Sequence, residues 1–437
     1  MAESLPRPAA DGYVCGVRTG ITPAEALGII LEHTPVLGSE TLGVTEAPGR
    51  VLAESVVAGR PLPPVDNSAM DGYAVRAADL AAASAEHPVS LTLAFEISAG
   101  DSPTRAVAAG AAARILTGAA LPPGADAVVR QEDAELLAER VAVRVAPTPG
   151  DYVRRMGEDV QVGEQVICAG VRVSPGHLGL LTSLGRGFVA VRQRARVALV
   201  SSGDELVEPD GEVTGSRIVA SNPYALAAQC REIGAESFYV GIARDTPEDV
   251  EAHLRAGLAS DVIVSSAGVS VGDRDYVRSV LDKLGCRLLF WGVEMRPGYP
   301  LAFGCFEAGD GAGGPLVFGL PGNPVSSMVT FEQFVRPALL RMMGHARIHR
   351  PTLRARLGQT LRKAPGEMHF VRVQLARQGD EVVAHSTGGQ GSGLLSSMAE
   401  AQALLLFPAA ASELREGDFA TVQILDEDFL AAEAPGF

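Results

Sequence analysis

Residues 61–73 combine the side chains most able to do chemistry, because they place two carboxylates in a stretch stiffened by prolines. Asp66 and Asp71 lie five residues apart around small polar side chains. Proline fixes φ and removes a backbone donor, and Gly72 permits a turn that other residues resist. The stretch predicts a rigid, acidic, hydrogen-bonding loop, although an ordinary surface turn has a similar composition.

Three further loops follow predicted strands: residues 201–206, 265–276 and 319–327. Open α/β sheets bind ligands beyond the carboxyl ends of their strands. The second and third loops precede helices, where free N–H groups and the helix dipole favour phosphate or another oxyanion. Neither is a P-loop, because no Gly-Lys-Ser/Thr follows. One such loop would be an ordinary cap. Three of them, taken with residues 61–73, predict a single binding site.

The residues predicted to line this oxyanion site are Gly268, Ser270, Gly272, Pro321, Gly322, Asn323, Pro324 and Ser326. Arg296 follows a predicted strand and would supply a fixed positive charge, although a lone arginine there is usually a surface residue. Thr117 ends another predicted strand, where a hydroxyl and a peptide group could contact a ligand. A simple strand-ending turn explains Thr117 equally well.

Carboxylates crowd the same predicted sheet edge: Asp204, Glu205, Asp245, Asp273 and Asp275. Carboxylates beside phosphate donors favour Mg²⁺, because this hard cation bridges carboxylate and phosphate oxygens. The alternative is that Asp273 and Asp275 only stabilise the start of their helix.

Composition excludes several other classes of protein. The net charge of −15 argues against nucleic acid and anionic membranes as partners. The five cysteines and eight histidines have no zinc-ligand spacing, which fits a reducing compartment. No run of about 18 uncharged apolar residues exists to span a membrane. The first residues have no apolar signal segment. We therefore expect a soluble, cytoplasmic protein.

The 437 residues suggest about three domains. Thr22-Pro-Ala-Glu25 predicts a helix running to about His33. Strand-like segments separated by turns predict a small β-domain over residues 76–145. From Arg194, alternating strands and helices predict a parallel, doubly wound α/β domain. After Gly344, short strands predict a small barrel or sandwich.

An ordered series of motifs resembles the molybdopterin molybdenumtransferase family, which includes bacterial MoeA and the E-domain of gephyrin. The motifs are residues 66–74, 201–206, 268–273 and 320–326, and the resemblance extends from about Ile21 to Leu425.

The resemblance implies a multidomain α/β plus β fold. Its parts would be a discontinuous elongated N-terminal domain (1–61 and 157–192), an inserted β-domain (62–156), a central doubly wound MogA-like α/β domain (193–345) and a C-terminal β-barrel (346–437). It also implies a homodimer, with the site between the α/β domain of one subunit and the Asp66 loop of the other.

The implied reaction joins molybdate to adenylylated molybdopterin, with cleavage of the pyrophosphate and release of AMP. Mg²⁺ is the implied cofactor, held by Glu205, Asp245 and Asp275. These three are also implied catalytic residues, with Asp66 and Asp159. Further implied substrate-binding positions are Thr117, Arg296, Arg372 and Ser392. The molybdopterin adenylyltransferase and apo-molybdoenzymes are further implied partners.

The chain departs from the bacterial pattern at Gly292 and Tyr299, where family members typically carry lysine. Arg296 is then the main positive charge of the anion site, and the preference between molybdate and tungstate is left open. Two other functions remain as alternatives. A molybdopterin-binding scaffold is disfavoured by the intact acidic and loop motifs, and an adenylyltransferase by the flanking β-domains.

Overall fold

The computed structural model describes residues 13–14, 17–266, 276–307 and 314–430. These residues belong to two units. The larger unit comprises residues 1–40 and 192–437, and the smaller unit comprises residues 41–191.

An eight-stranded sheet forms the centre of the larger unit. Neighbouring strands are parallel, except that Ala302–Phe306 is antiparallel to both its neighbours and the first two strands are antiparallel to each other. The spatial order of the strands is Tyr13–Val14, Val17–Ile21, Cys286–Val293, Ala302–Phe306, Leu316–Leu320, Val262–Ser266, Arg196–Ser202 and Glu236–Ala243.

Helices cover both faces of this sheet, as the doubly wound prediction requires. Successive residues of a strand point to opposite faces. Val197 therefore packs in one core with helix residue Leu226, whereas Ala198 packs in the other core with Leu254. The helices of the larger unit are Pro23–Glu32, Asn222–Glu232, Pro247–Gly257, Tyr276–Lys283, Pro324–Thr330, Arg336–Met342 and Leu395–Ala399, with a 3₁₀ turn at Glu427–Leu430.

Two local predictions in this unit can be checked directly. The capping box at Thr22 is confirmed, because its Oγ1 accepts from the Glu25 N–H at 3.3 Å and its own N–H donates to Glu25 Oε2 at 2.9 Å. The sequence also predicts a kink of the final helix at Pro337. The structure has a π-helical turn at Phe331–Val335, directly before the final helix, which contains Pro337. A wider turn accommodates a proline, which lacks the N–H of a regular helix.

The C-terminal strands form a closed five-stranded barrel. It closes because Met368–Gln378 pairs with the strands on both sides of it, Glu381–Ser386 and Ala403–Phe407. The other two barrel strands are Thr352–Leu357 and Phe419–Ile424. Short additional strands in the larger unit are Leu206–Val207, Ile218–Val219, Met295–Arg296, Leu361–Arg362 and Glu413–Leu414.

The smaller unit contains a six-stranded sheet, which confirms the predicted β-domain. Its spatial order is Ala134–Leu137, Arg140–Val143, Val89–Ile97, Ala111–Ile115, Gly72–Val75 and Ala127–Arg130. The remaining elements of residues 39–192 are strands Ser39–Gly43, Val56–Val57, Asn67–Ser68, Val153–Arg154, Gln165–Ile167 and Phe188–Arg192, helix Pro175–Ser183, and 3₁₀ turns Val44–Glu46, Ala77–Leu80 and Gln131–Asp133. Among all described residues, no helix combines the length and apolar character needed to cross a membrane.

Candidate active site

Asp66 lies in the acidic loop of the smaller unit, and its carboxylate is held from two sides. Arg155 Nη1 donates to Oδ2 at 2.7 Å, and the Met156 N–H donates to Oδ1 at 2.8 Å. The bond from Met156 and then that from Arg155 lower the pKa of Asp66 below its usual value. Asp66 is therefore an ionised carboxylate in a fixed position.

Backbone hydrogen bonds join the acidic loop to two neighbouring segments. Asn67–Ser68 pairs antiparallel with Val153–Arg154. On the other side, the Gly118 N–H donates to the Ser68 carbonyl at 2.8 Å. These bonds place Thr117, which precedes Gly118, beside the acidic loop.

Thr117 is bound by the second carboxylate of that loop. Its peptide N–H and its Oγ1 both donate to Asp71 Oδ1, each at 2.7 Å. Sequence reasoning placed Asp71 in the loop but missed it as the partner of Thr117. No local signal marks the pair, because the two residues are 46 positions apart.

Asp159, the other predicted residue of the smaller unit, has an exposed side chain beside the same loop. Its peptide N–H donates to the Leu62 carbonyl at 3.0 Å, and the Gly157 N–H donates to the Pro63 carbonyl at 3.0 Å. The smaller unit therefore brings Asp66, Thr117 and Asp159 to one region.

Two predicted metal residues of the larger unit follow neighbouring parallel strands. Glu205 comes after Arg196–Ser202, and Asp245 comes after Glu236–Ala243. The loops themselves are in contact, because the Asp245 N–H donates to Asp204 Oδ1 at 3.4 Å. The carboxylates thus lie at one carboxyl edge of the sheet, as predicted.

The chemistry of these side chains fits a hard cation such as Mg²⁺, which prefers carboxylate oxygens. Within the described ranges, no group of three metal-ligating side chains lies close enough together to hold a metal ion. The third predicted ligand, Asp275, lies outside the described residues, as do Gly268, Ser270 and Gly272. The metal set therefore stays a prediction.

The loop at residues 321–326 leads from strand Leu316–Leu320 into helix Pro324–Thr330. Within it, Pro321 and Ser326 are buried, whereas Gly322 and Asn323 are exposed. The loop is anchored from helix Asn222–Glu232, because Asn222 Nδ2 donates to the Gly322 carbonyl at 2.7 Å. One parallel strand, Val262–Ser266, separates Leu316–Leu320 from Arg196–Ser202, so the loop leaves the same carboxyl edge of the sheet as the two carboxylate loops.

Arg372 is the most unusual residue of the larger unit, because its side chain is completely buried on a barrel strand. Its Nη2 donates to the carbonyls of Gly389 and Gly391, at 3.1 and 3.2 Å. Within the described part of the chain, its Nε and Nη1 have no hydrogen-bond partner. Burial lowers the pKa of Arg372, yet an arginine stays charged. A buried cation with free donors is costly unless an anion binds there.

Backbone contacts link the other predicted anion-binding residues to the strand of Arg372 or to the loop that its side chain contacts. The Val325 N–H donates to the Ser392 carbonyl at 3.1 Å, which joins the loop after Gly391 to the loop at residues 321–326. Met295–Arg296 pairs in parallel with Met368–His369 of the barrel strand that carries Arg372. Arg296, Arg372, Ser392 and the 321–326 loop therefore belong to one region of the larger unit. The predicted meeting of this region with the Asp66 loop stays a prediction.

His369, which lies opposite Arg296, was not predicted as a site residue. Its pKa is lowered to about 4, first by burial and then by the nearby charges of Lys363 and Arg296. The imidazole is therefore neutral at pH 7. Its position beside Arg296 becomes visible only once the pairing of its strand is known.

The two departures from the lysine pattern are in contact with each other. Gly292 has a φ of +81°, and a Cβ there would lie 3.2 Å from the ring of Tyr299. The Tyr299 ring also packs edge-on against Trp291, with 5.8 Å between ring centroids. Tyr299 thus covers the position at which a side chain on residue 292 would begin.

Comparisons with known proteins agree with the resemblance seen in the motifs. Three family models match: the MoeA N-terminal region (domain I and II) over residues 21–185, the probable molybdopterin binding domain over 198–341, and the MoeA C-terminal region (domain IV) over 354–425. A molybdopterin molybdenumtransferase of Nostoc is 37% identical over 90% of this chain and 91% of its own length. The molybdopterin molybdenumtransferase 2 of Mycobacterium tuberculosis is 38% identical, over 86% of this chain and 93% of its own length.

The structure is also similar to a solved one. The molybdopterin biosynthesis MoeA protein of Pyrococcus horikoshii matches with a TM-score of 0.80 and 31% identity, over 93% of this chain and 99% of that one. Sequence identity, coverage and fold agree along nearly the full length. The chain belongs to the molybdopterin molybdenumtransferase family.

Proposed function

We propose that the chain transfers molybdenum from molybdate to adenylylated molybdopterin, in the cytoplasm and as a homodimer. The two dithiolene sulfurs displace oxygens of molybdate, which leave as water. Water cleaves the pyrophosphate bond between molybdopterin and AMP, and AMP leaves. The name shared by the relatives supports transfer of molybdenum to molybdopterin. The molybdopterin adenylyltransferase and apo-molybdoenzymes are the proposed further partners.

Buried Arg372 is the observation that carries this proposal. A guanidinium with unused Nε and Nη1 donors needs an anion, and molybdate is a small dianion with four acceptor oxygens. The neighbouring Arg296 adds a second positive charge, whereas His369 stays neutral at pH 7. This local charge allows an oxyanion to bind despite the net charge of −15.

The carboxylate edge of the sheet is the proposed site of the pyrophosphate. Glu205 and Asp245, together with Asp275, would hold Mg²⁺. When bound, this ion offsets negative charge on the pyrophosphate as it breaks. Asp66 is held in place by Arg155 and Met156, and its lowered pKa makes it a poor proton acceptor. Asp66 therefore orients groups around it, and Asp159 presents a second carboxylate beside it.

An anaerobic assay with adenylylated molybdopterin, Mg²⁺ and molybdate tests the proposal through release of AMP. The wild-type chain should release AMP only when molybdate is present. Arg372→Gln should raise the KM for molybdate at least tenfold, since a hydrogen bond to a charged group is worth about 1.5–3 kcal/mol. Arg377→Gln is the matched control, because Arg377 is exposed on the same barrel strand.

Three outcomes would change the conclusion. Tight binding of adenylylated molybdopterin without turnover would make the chain a binding scaffold. Faster AMP release with tungstate than with molybdate would make it a tungstate-preferring relative. An unchanged molybdate KM in Arg372→Gln would remove the buried arginine from the anion site.

A further inference from the structure

The hydrogen-bond donors of Thr117 are both already used. The N–H and Oγ1 donate to the same oxygen of Asp71, each at 2.7 Å. These two bonds, that from the N–H first, lower the pKa of Asp71, so its carboxylate is ionised and can only accept. The hydroxyl hydrogen of Thr117 must therefore point to Asp71.

This arrangement decides what Thr117 can offer to a ligand. A threonine hydroxyl has one hydrogen and two acceptor lone pairs. Because the hydrogen is committed, the exposed hydroxyl can only accept a hydrogen bond from a bound molecule. An oxyanion has no hydrogen to give, so Thr117 cannot bind a phosphate or molybdate oxygen in this arrangement.

The position of Asp71 is itself fixed by the surrounding backbone. Its carbonyl accepts from the Gln131 N–H at 3.1 Å. The next residue, Gly72, packs so closely that a Cβ would lie 1.9 Å from the carbonyl oxygen of Val129. The carboxylate therefore approaches Thr117 from the last residue of the loop, directly before strand Gly72–Val75.

We propose that Asp71 is a positioning residue that orients Thr117 to accept a hydrogen bond from an N–H or O–H group of the substrate. The inference rests on the proposed function and narrows the part of the substrate that Thr117 contacts. Adenylylated molybdopterin carries such donors on the pterin and on the nucleotide. The oxyanion groups are contacted elsewhere.

A double-mutant cycle on AMP release tests the coupling of the two residues. Thr117→Val and Asp71→Ala should each lower kcat/KM about five- to tenfold, the effect of losing one hydrogen bond. Combining them should cause no further loss, since Asp71 acts only by orienting the Thr117 hydroxyl, which is absent from Thr117→Val. Thr117→Ser keeps the hydroxyl and should retain most of the activity.

The smaller unit offers a matched control pair. The Thr148 N–H and Oγ1 donate to Asp151 at 2.7 and 2.8 Å, in the same kind of threonine–aspartate contact. Thr148→Val and Asp151→Ala should leave kcat/KM unchanged. Circular dichroism and thermal unfolding of every variant would separate loss of the hydrogen bond from loss of the fold.

Binding measurements decide which substrate group is involved. Thr117→Val should bind molybdate as tightly as the wild-type chain but bind adenylylated molybdopterin several-fold more weakly. Weaker AMP binding would assign the donor to the nucleotide, and unchanged AMP binding would assign it to the pterin.

Weaker binding of molybdate, or additive losses in the double variant, would overturn the inference. Absence of molybdate-dependent AMP release by the wild-type chain would instead overturn the proposed function. The binding of adenylylated molybdopterin to the same variants would still decide the role of Thr117.

Discussion

At the scale of single residues, the candidate regions of the two units use charge in opposite ways. In the smaller unit, Asp66 and Asp71 are ionised carboxylates whose oxygens already accept hydrogen bonds from their neighbours. In the larger unit, Arg372 is a buried cation that keeps unused donors. The first arrangement fixes the shape of a loop, and the second leaves donors that the proposed anion would use.

His369 gives a residue-scale prediction about pH. Its pKa is about 4 in the folded chain, against about 6.5 in an unfolded one. Between these values the unfolded state binds more protons than the folded state. The part of the folding stability that is linked to His369 is therefore fully present above about pH 6.5 and is lost as the pH falls towards 4. The shift corresponds to at most about 3 kcal/mol.

The measurement is the urea midpoint of the wild-type chain and of His369→Gln between pH 7 and pH 4. The variant should lose less stability over this range than the wild type. The exposed His349 provides the control, since His349→Gln should keep the wild-type pH dependence. Identical slopes for wild type and His369→Gln would contradict the lowered pKa.

At the scale of elements, the π-helical turn at Phe331–Val335 carries a second buried charge, that of Glu332. Its carboxylate accepts from Arg350 Nε at 2.9 Å and from Gln229 Nε2 at 2.7 Å. The Glu332 and Arg350 side chains are only 3% and 6% exposed. The turn is therefore tied both to a neighbouring helix and to the segment that leads into the barrel.

We expect Glu332→Ala to destabilise the chain by up to about 3–5 kcal/mol, because it removes the buried carboxylate that pairs with Arg350 and leaves only the half-exposed Glu232 as its partner. The control is Glu381→Ala, which breaks a 2.8 Å pair with Arg356 in which the glutamate is 50% exposed. That change should cost less than about 1 kcal/mol. Urea unfolding measures both, and equal losses would contradict a special role for the buried pair.

Elements were predictable from sequence where the signal is local. Apolar strands such as Leu316–Leu320 and the capping box at Thr22 are determined by neighbouring residues, and both were predicted. The strands Asn67–Ser68 and Gly72–Val75 were missed, because they are short and one is polar. Their pairing depends on segments far away in the chain.

The candidate site shows the same difference between features with a local sequence signal and features that depend on distant segments. Motif spacing identified Glu205, Asp245 and the 321–326 loop, since each directly follows a strand of one sheet. The hydrogen bonds from Thr117 to Asp71 and the position of His369 opposite Arg296 could not be read in this way. Both depend on which strands pair, and the side chains alone do not specify that.

At the scale of the whole molecule, the proposed anion site has a local positive charge, in contrast to the negative charge of the chain as a whole. The net charge is −15, yet Arg296 and Arg372 lie on adjacent, paired strands of the larger unit. In the smaller unit, the corresponding candidate region presents the carboxylates of Asp66, Asp71 and Asp159. An oxyanion alone should therefore bind to the larger unit, whereas the complete substrate should engage both.

Hydrogen exchange followed by mass spectrometry would test this division. Molybdate at 100 times its Kd should stabilise the folded state by about 2.7 kcal/mol, because it binds only the folded chain.

Local protection should appear in residues 294–297, 321–326, 369–373 and 389–392, where the backbone holds the anion-binding side chains. Residues 61–73 and 117–121 should gain little protection until adenylylated molybdopterin is added. At the same molybdate concentration, an at least tenfold weaker affinity in Arg372→Gln should reduce this stabilisation to about 1.4 kcal/mol or less, while Arg377→Gln should keep it. Protection by molybdate centred on residues 61–73 would instead assign the oxyanion to the acidic loop, against the charge of its carboxylates.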